Sequence, residues 1–223
     1  MPQPFGVDVF EGDGDSTGNI DWATAHNDGV QFCWVKVTEG DYVDHKATAD
    51  RITAMRHAHI IPGAYVFLRP KAGRTGTQEA RFALDHARKI GLYRADHQTV
   101  RDLRFCLDFE ATAFPDTIRG RWQTRRYLGQ AIDEIIRQLG RKPIIYTGAW
   151  FADPLGVKES TVRGCPLWVA SYTAKPITPR AWARTGPAFW QFTDSRHVSG
   201  IGRCDANHYQ LGNLSHLIRN FTI

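Results

Sequence analysis

No run of apolar residues approaches the length of a membrane span. The N-terminal Met1-Pro2-Gln3-Pro4-Phe5 has neither the basic n-region nor the apolar h-region of a secretory signal. A soluble protein without an export signal is therefore expected. Internal repeats, low-complexity tracts and linkers are lacking too, so the 223 residues are expected to form a single domain over 1–223, with no separate cell-wall-binding domain. Cysteine is scarce, and none of Cys33, Cys106, Cys165 and Cys204 belongs to a CxxC or a close Cys/His cluster, which removes the usual zinc patterns. Cys33 and Cys106 sit in apolar runs where a thiol behaves as a small buried hydrophobe, and reduced structural cysteines are expected. No metal and no cofactor is called for.

What is present is an ordinary globular composition, with 42% hydrophobic, 12% aromatic and 23% charged residues. The net charge of +5 favours an anionic partner without choosing among nucleic acid, a membrane surface and an acidic wall polymer. The densest basic stretch, Arg119, Arg121, Arg125 and Arg126, falls at the start of a predicted helix, where positive charge opposes the helix dipole.

Eight short apolar, β-branched or aromatic runs recur: Phe5–Phe10, Phe32–Thr38, Ile61–Phe67, Phe105–Glu110, Ile144–Thr147, Leu167–Ser171, Ala188–Phe192 and Cys204–His208. Between them the spacing predicts helices over Asp44–His59, from a Thr75/Gln78 capping box to Ile90, over Arg121–Leu139 ahead of Gly140, and over Leu214–Ile218. Alternating strands and helices argue for parallel strands joined by crossovers. In the last third Pro176, Pro179, Gly186, Pro187, Gly200 and Gly202 interrupt the helices. The expected fold is α/β, an irregular (β/α) TIM-like barrel of eight strands with reduced helices in its C-terminal third.

Asp108 and Glu110, one residue apart on a strand, project to one face with Cα atoms about 6.5 to 7 Å apart. By alternation Phe105, Leu107 and Phe109 face the helices, and Cys106, Asp108 and Glu110 the barrel interior. Taken alone, this Asp-x-Glu pattern divides evenly between catalysis and a structural duty such as satisfying a buried arginine. The balance shifts because further inward polar residues stand at other strand ends: Asp8, Lys36 with Glu39, Tyr65, Tyr146, Gln191, and Asp205 with Asn207. In a parallel barrel these ends meet at one mouth. Paired carboxylates in unequal environments suit glycosidic cleavage, which needs one acid to protonate the leaving oxygen and a second group to stabilise an oxocarbenium-like transition state. The aromatics near these ends, Tyr65, Phe67, Tyr146, Trp150, Trp168, Tyr172 and Trp190, are candidate stacking surfaces for sugar rings; Tyr146, Tyr172 and Trp190 are expected in the cleft, whereas Phe32 and Trp34 are assigned to packing.

The ordered set Gly6-Val7-Asp8, Ile20-Asp21-Trp22, Val35-Lys36-Val37-Thr38-Glu39-Gly40, Gly63-Ala64-Tyr65-Val66-Phe67, Leu107-Asp108-Phe109-Glu110, Ile144-Ile145-Tyr146-Thr147, Leu167-Trp168, Trp190-Gln191-Phe192 and Cys204-Asp205-Ala206-Asn207 resembles the glycoside hydrolase family 25 lysozymes over nearly the whole chain. The resemblance implies an irregular β/α barrel that hydrolyses the β-1,4 bond between N-acetylmuramic acid and N-acetylglucosamine of peptidoglycan with retained configuration. Glu110 matches the general acid. Asp108 matches the carboxylate that acts as nucleophile or orients the substrate's 2-acetamido group. Asp8 and Asp205 match the remaining cleft acids, which hold substrate or raise the pKa of Glu110. One departure is Phe10, where the family usually has serine; the acidic, glycine-rich loop Glu11-Gly12-Asp13-Gly14-Asp15 behind it lacks the full spacing of an EF-hand and is read as a flexible rim loop.

If the barrel order holds, the cysteines fall on strands two, four, six and eight, roughly 9 to 10 Å apart or more, beyond the reach of a disulfide. The competing functional readings are a chitinase-like hydrolase and a noncatalytic glycan-binding barrel. A monomer acting on peptidoglycan strands at the bacterial wall, without nucleic acid or membrane insertion, is expected. With no export signal, it would reach the wall through a separate pore or delivery system, as a phage endolysin does.

Overall fold

The computed structural model describes residues 3–14, 19–94 and 101–223; Met1, Pro2 and Asp15, which entered the readings above, lie outside them. Among the described residues nine strands form one sheet: β1 (Phe5–Val9), β2 (Val30–Glu39), β3 (Tyr42–Val43), β4 (Ile61–Phe67), β5 (Cys106–Asp108), β6 (Ile144–Thr147), β7 (Leu167–Ala170), β8 (Phe189–Val198) and β9 (Gly202–Tyr209). Their order is β1-β9-β8-β7-β6-β5-β4-β2-β3, and a β1–β2 pairing closes the ring. β3 is only a short antiparallel return on β2, so the barrel has the eight strands expected.

Apart from β3, the strands from β1 through β8 pair in parallel. The expectation that all strands run one way fails at the last: β9 is antiparallel to both β8 and β1. The reason is connection length. A parallel crossover needs a dozen or more residues, whereas β8 runs on to Val198 and only three residues separate it from Gly202, with Gly200 (φ 84°) and Gly202 (φ 96°) making the turn. Glycine is required at 200, because a Cβ there would lie 2.3 Å from the Asp21 carbonyl oxygen.

The helices start where side chains can satisfy their first N–H groups. α1 (Trp22–Asn27), whose short span no periodicity announced, is capped by Asp21. α2 (Ala49–His57) begins at the Thr48 cap rather than at Asp44, since the Asp44 carboxylate instead accepts from the Glu11 backbone N–H at 2.9 Å. α3 (Gly76–Lys89) opens on the expected capping box of Thr75 and Gln78. α4 (Ile118–Leu139) starts one turn earlier than expected, on Thr117, and ends at Gly140 in the left-handed conformation (φ 64°). Only two four-residue helices, α5 (Ala149–Ala152) and α6 (Glu159–Val162), and a 3₁₀ turn at Arg180–Trp182 follow before the terminal α7 (Leu214–Phe221). No helix among the described residues is long and apolar enough to cross a membrane.

Strand alternation divides the core into two layers. Phe105, Leu107 and Phe109 join the layer between sheet and helices, while Phe32, Trp34, Tyr65, Cys106, Tyr146, Trp168, Phe189 and Tyr209 fill the barrel, as period two demands. Trp34 and Trp168 stack at 4.4 Å, so Phe32 and Trp34 are packing residues as expected. Leu217 and Phe221 of α7 close the lower end, leaving polar side chains for the mouth. All four cysteines are buried and free.

On the outside α3 crosses α4 so closely that a Cβ on Gly76 would sit 1.9 Å from the Tyr127 carbonyl oxygen. Next to this crossing the Tyr127 hydroxyl donates to the buried Glu79, whose other oxygen accepts from the Arg69 backbone N–H at 3.0 Å. The helix pair thereby fixes the loop leaving β4. Gly76→Val is expected to cost about 1–3 kcal/mol by overpacking, read as a lower denaturant midpoint at unchanged slope.

Candidate active site

Asp8 on β1, Lys36 on β2, Tyr65 and Phe67 on β4, Asp108 on β5, Tyr146 on β6 and Trp168 on β7 line a cavity of about 180 Å³ at the C-terminal ends of the parallel strands. Asp205 joins them from β9 because that strand runs backwards: its beginning, not its end, lies at the mouth, with Asp205 opposite Asp8 in register. Glu110 also lines the cavity, two residues beyond the end of β5 rather than within a strand.

The centre is a buried carboxamide. Gln191 Nε2 donates to both oxygens of Asp8 at 3.1 Å and to Asp205 Oδ2 at 3.0 Å, while its Oε1 accepts from the hydroxyls of Tyr146 at 2.8 Å and Tyr172 at 2.7 Å. Asn207 Nδ2 donates to Asp8 Oδ1 at 2.7 Å, and its own oxygen accepts from the Trp168 indole at 2.7 Å. Gln191 and Asn207, expected to touch substrate, are fully buried behind the wall and hold the acids in place. Asp108 differs from Asp8. The residue lines the cavity yet is buried, and its Oδ1, itself closed to solvent, has no hydrogen-bond partner among protein atoms, a cost the fold carries at this position.

Every acid here holds its proton more tightly than usual. Burial raises Asp108 well above the carboxylate range, with the charges of Glu110 and Asp8 adding to it and Lys36 opposing. Burial also raises Glu110, followed by the charge of Asp205, against Arg69. Asp8 is raised well above its ordinary value by burial and then by Asp205. Asp205 is pushed up to about 6 by burial, with hydrogen bonds from Asp8 and Gln191 opposing and Asp194 adding. These are interacting groups whose protons leave in steps that belong to the set.

The cations stand to one side. Lys36 Nζ lies 4.8 Å from the Phe10 ring centre and 3.2 Å from Glu39 Oε2; Arg69 donates to Glu39 Oε1 and lies over the Phe67 ring at 4.3 Å. Glu39, expected to bind substrate, is not in the cavity wall; it anchors these two cations. Trp190 needs correction as well. It points to the outer layer, with its indole N–H donated to the Ser171 carbonyl at 2.6 Å, because alternation sends Phe189 and Gln191 inward and the residue between them outward. Tyr172, half exposed, keeps its place at the rim.

Phe67 and Trp168, two of the aromatics that the sequence places near strand ends, lie in the wall with Phe10; Arg69 beside it was not selected from sequence. Of the acidic loop, Asp13 turns back to accept from the Phe10 N–H at 2.8 Å, and Glu11 accepts from Tyr42, so its described part is anchored. Among the described residues no group of three or more His, Cys, Asp or Glu is placed to hold a metal ion.

With this geometry in view, comparison with known proteins is decisive: residues 7–201 match the family profile of the glycosyl hydrolases family 25. The chain belongs to that family. Lysozyme M1 of Streptomyces globisporus is 28% identical over 198 residues, covering 86% of this chain and 64% of the relative. The autolytic lysozyme of Clostridium acetobutylicum is 26% identical, over 93% of this chain and 56% of its own length. The chain thus spans less than two thirds of these relatives. The structure of a bacterial lysozyme from Streptomyces coelicolor superposes with a TM-score of 0.80 at 27% identity, over 98% of this chain and 96% of the other. A family 25 lysozyme from Aspergillus fumigatus, at 24% identity and a TM-score of 0.78, shares the fold.

The shifted acids carry a stability consequence. Asp205 titrates at about 6 when folded but near 4 when unfolded. Between those values the folded state holds more protons, so stability falls as pH rises through the window and the full penalty is present above it. Asp205→Asn removes the penalty: it should melt higher than the wild type at pH 8 and match it near pH 4 in thermal denaturation.

Proposed function

We propose that the chain is a peptidoglycan N-acetylmuramidase that cleaves the β-1,4 bond between N-acetylmuramic acid and N-acetylglucosamine with retention, residues 1–223 serving as one catalytic unit. The observation that carries this reading is the joint placement of Asp108 and Glu110 in one cavity wall, both with raised pKa and in unequal burial, in a chain of family 25.

Glu110 is the general acid. It is the less buried of the pair and reaches the cavity from a loop, and burial followed by the charge of Asp205 raises its pKa, the direction that a proton donor to the glycosidic oxygen needs. Proton transfer leaves Glu110 ionised and able to activate the water that completes hydrolysis. Asp108 stabilises the positive charge that develops at the anomeric carbon. Its carboxyl group, part of the cavity wall, suits acceptance from the N–H of a 2-acetamido group, which would turn the acetamido oxygen toward the anomeric carbon; direct attack by the carboxylate is the other route. Lys36, which lowers the Asp108 pKa, favours the anionic form either route needs. Tyr65, Tyr146 and Tyr172 supply hydroxyls and ring faces to the sugars, and the wall is the site of action.

Digestion of purified peptidoglycan should release fragments with new muramic acid reducing ends, and Glu110→Gln should lower the rate by at least about 10²–10⁴-fold. New N-acetylglucosamine ends, or digestion of chitin but not peptidoglycan, would sink the proposal. Substrates with an N-trifluoroacetyl in place of the N-acetyl group separate the roles of Asp108: a steep rate loss marks neighbouring-group attack, and an unchanged rate marks a carboxylate nucleophile. Because Asp205 raises Glu110, the Asp205→Asn enzyme should lose activity at lower pH than the wild type on the basic limb of its pH–rate profile.

A further inference from the structure

The basic start of α4 remains without a part in the chemistry. Its first turn holds no acidic residue but carries Arg119 and Arg121, an unfavourable choice next to the helix dipole. Arg121 is held by Asp116 at 2.6 Å and Arg125 by the Leu155 carbonyl. Arg126 turns the other way and lies 5.3 Å over the ring of Trp122, which is 50% exposed. Trp122, Arg126 and Gln130 are shared by two adjoining cavities of about 320 Å³ each. One extends to Lys71 and Phe114, the other along the barrel side to Arg163. The two make a trough along α4. Its upper end is formed by the loops that leave the catalytic wall, Lys71 following Phe67 and Phe114 following Glu110 by four residues each.

The trough suits a chain better than a compact ligand, being open and elongated. Its lining holds five cations, and the carboxylates paired with them are Asp41 and Asp133, so a positive excess remains. Arginine forks match phosphate oxygens bidentately, and a half-exposed indole offers a flat face to the C–H groups of a sugar or polyol. We propose that this trough binds a phosphodiester-linked sugar or polyol polymer attached to the wall next to the glycan strand being cut. This rests on the muramidase reading for its location, and the charge complementarity with a polymer bearing one anion per repeat carries it. Docking there holds the enzyme on its insoluble substrate through contacts apart from the cavity, and added salt weakens it.

The experiment is co-sedimentation with insoluble walls before and after hydrofluoric acid removes their phosphodiester polymers, using the wild type, Trp122→Ala and Arg126→Glu, with circular dichroism to establish folding and Arg126→Gln as a milder variant. Affinity of the wild type for intact walls should exceed that for stripped walls by about tenfold. The variants should lose that excess, bind stripped walls as the wild type does, and cleave a soluble glycan unchanged. Equal binding by the variants and wild type to intact walls, or no effect of stripping, overturns the proposal. So does displacement by duplex DNA as effective as by the free wall polymer, which would mark a trough for polyanions in general. Polymer-dependent sedimentation without any release of reducing ends would leave the docking surface standing and reject the muramidase reading.

Discussion

The Gln191 carboxamide is the interaction on which the mouth of this barrel depends. Asp8 and Asp205 approach each other in a space largely closed to water, where an isolated carboxylate is costly and two are worse. One side of a single amide donates to both, and its other side accepts from Tyr146 and Tyr172. An amide with all its capacity in use has one orientation. That orientation fixes two acids as acceptors and two phenols as donors, and it spans β1, β6, β8 and β9. The strained charge of Asp205 is then available to raise Glu110 across the cavity. Burial, which threatens the fold by trapping negative charge, is also the largest cause raising the pKa of Glu110.

Much of this was legible in sequence, for a definite reason. Period two on a barrel strand sends alternate residues to opposite layers, so Cys106, Asp108, Trp34 and Tyr65 could be placed from their neighbours alone. Capping chemistry located α3 at Thr75 and the end of α4 at Gly140. What pattern cannot supply is which group a side chain meets across the fold. Glu39 reads like a cleft acid, yet its partners are Lys36, three residues away, and Arg69 from another strand end. Gln191 and Asn207 face inward as expected, but depth, which alternation does not encode, put them behind the acids instead of in front of them. Trp190 was misplaced for the opposite reason: its aromatic character was given more weight than the outward parity fixed by Gln191 beside it.

The family resemblance and the geometry bear on different matters. The resemblance supplies roles to match with Glu110 and Asp108. The geometry supplies the physical inequality between them, a more exposed acid on a loop and a deeper one whose Oδ1 lacks a partner. Phe10, where the family usually has serine, joins the cavity wall with Lys36 over its ring, so that edge of the cleft gains an apolar face and a cation together.

The reversal of β9 also settles where the chain is when the barrel is complete. A strand parallel to its neighbours would have ended at the mouth and needed one more helix to carry the chain away. Running backwards, β9 delivers it to the closed end, where α7 is spent as a stopper and Ile223 exchanges backbone hydrogen bonds with Asp102 just ahead of β5. The first strand enters from that same end. Any polypeptide joined at either terminus would therefore depart from the face opposite the cleft, leaving the mouth unobstructed.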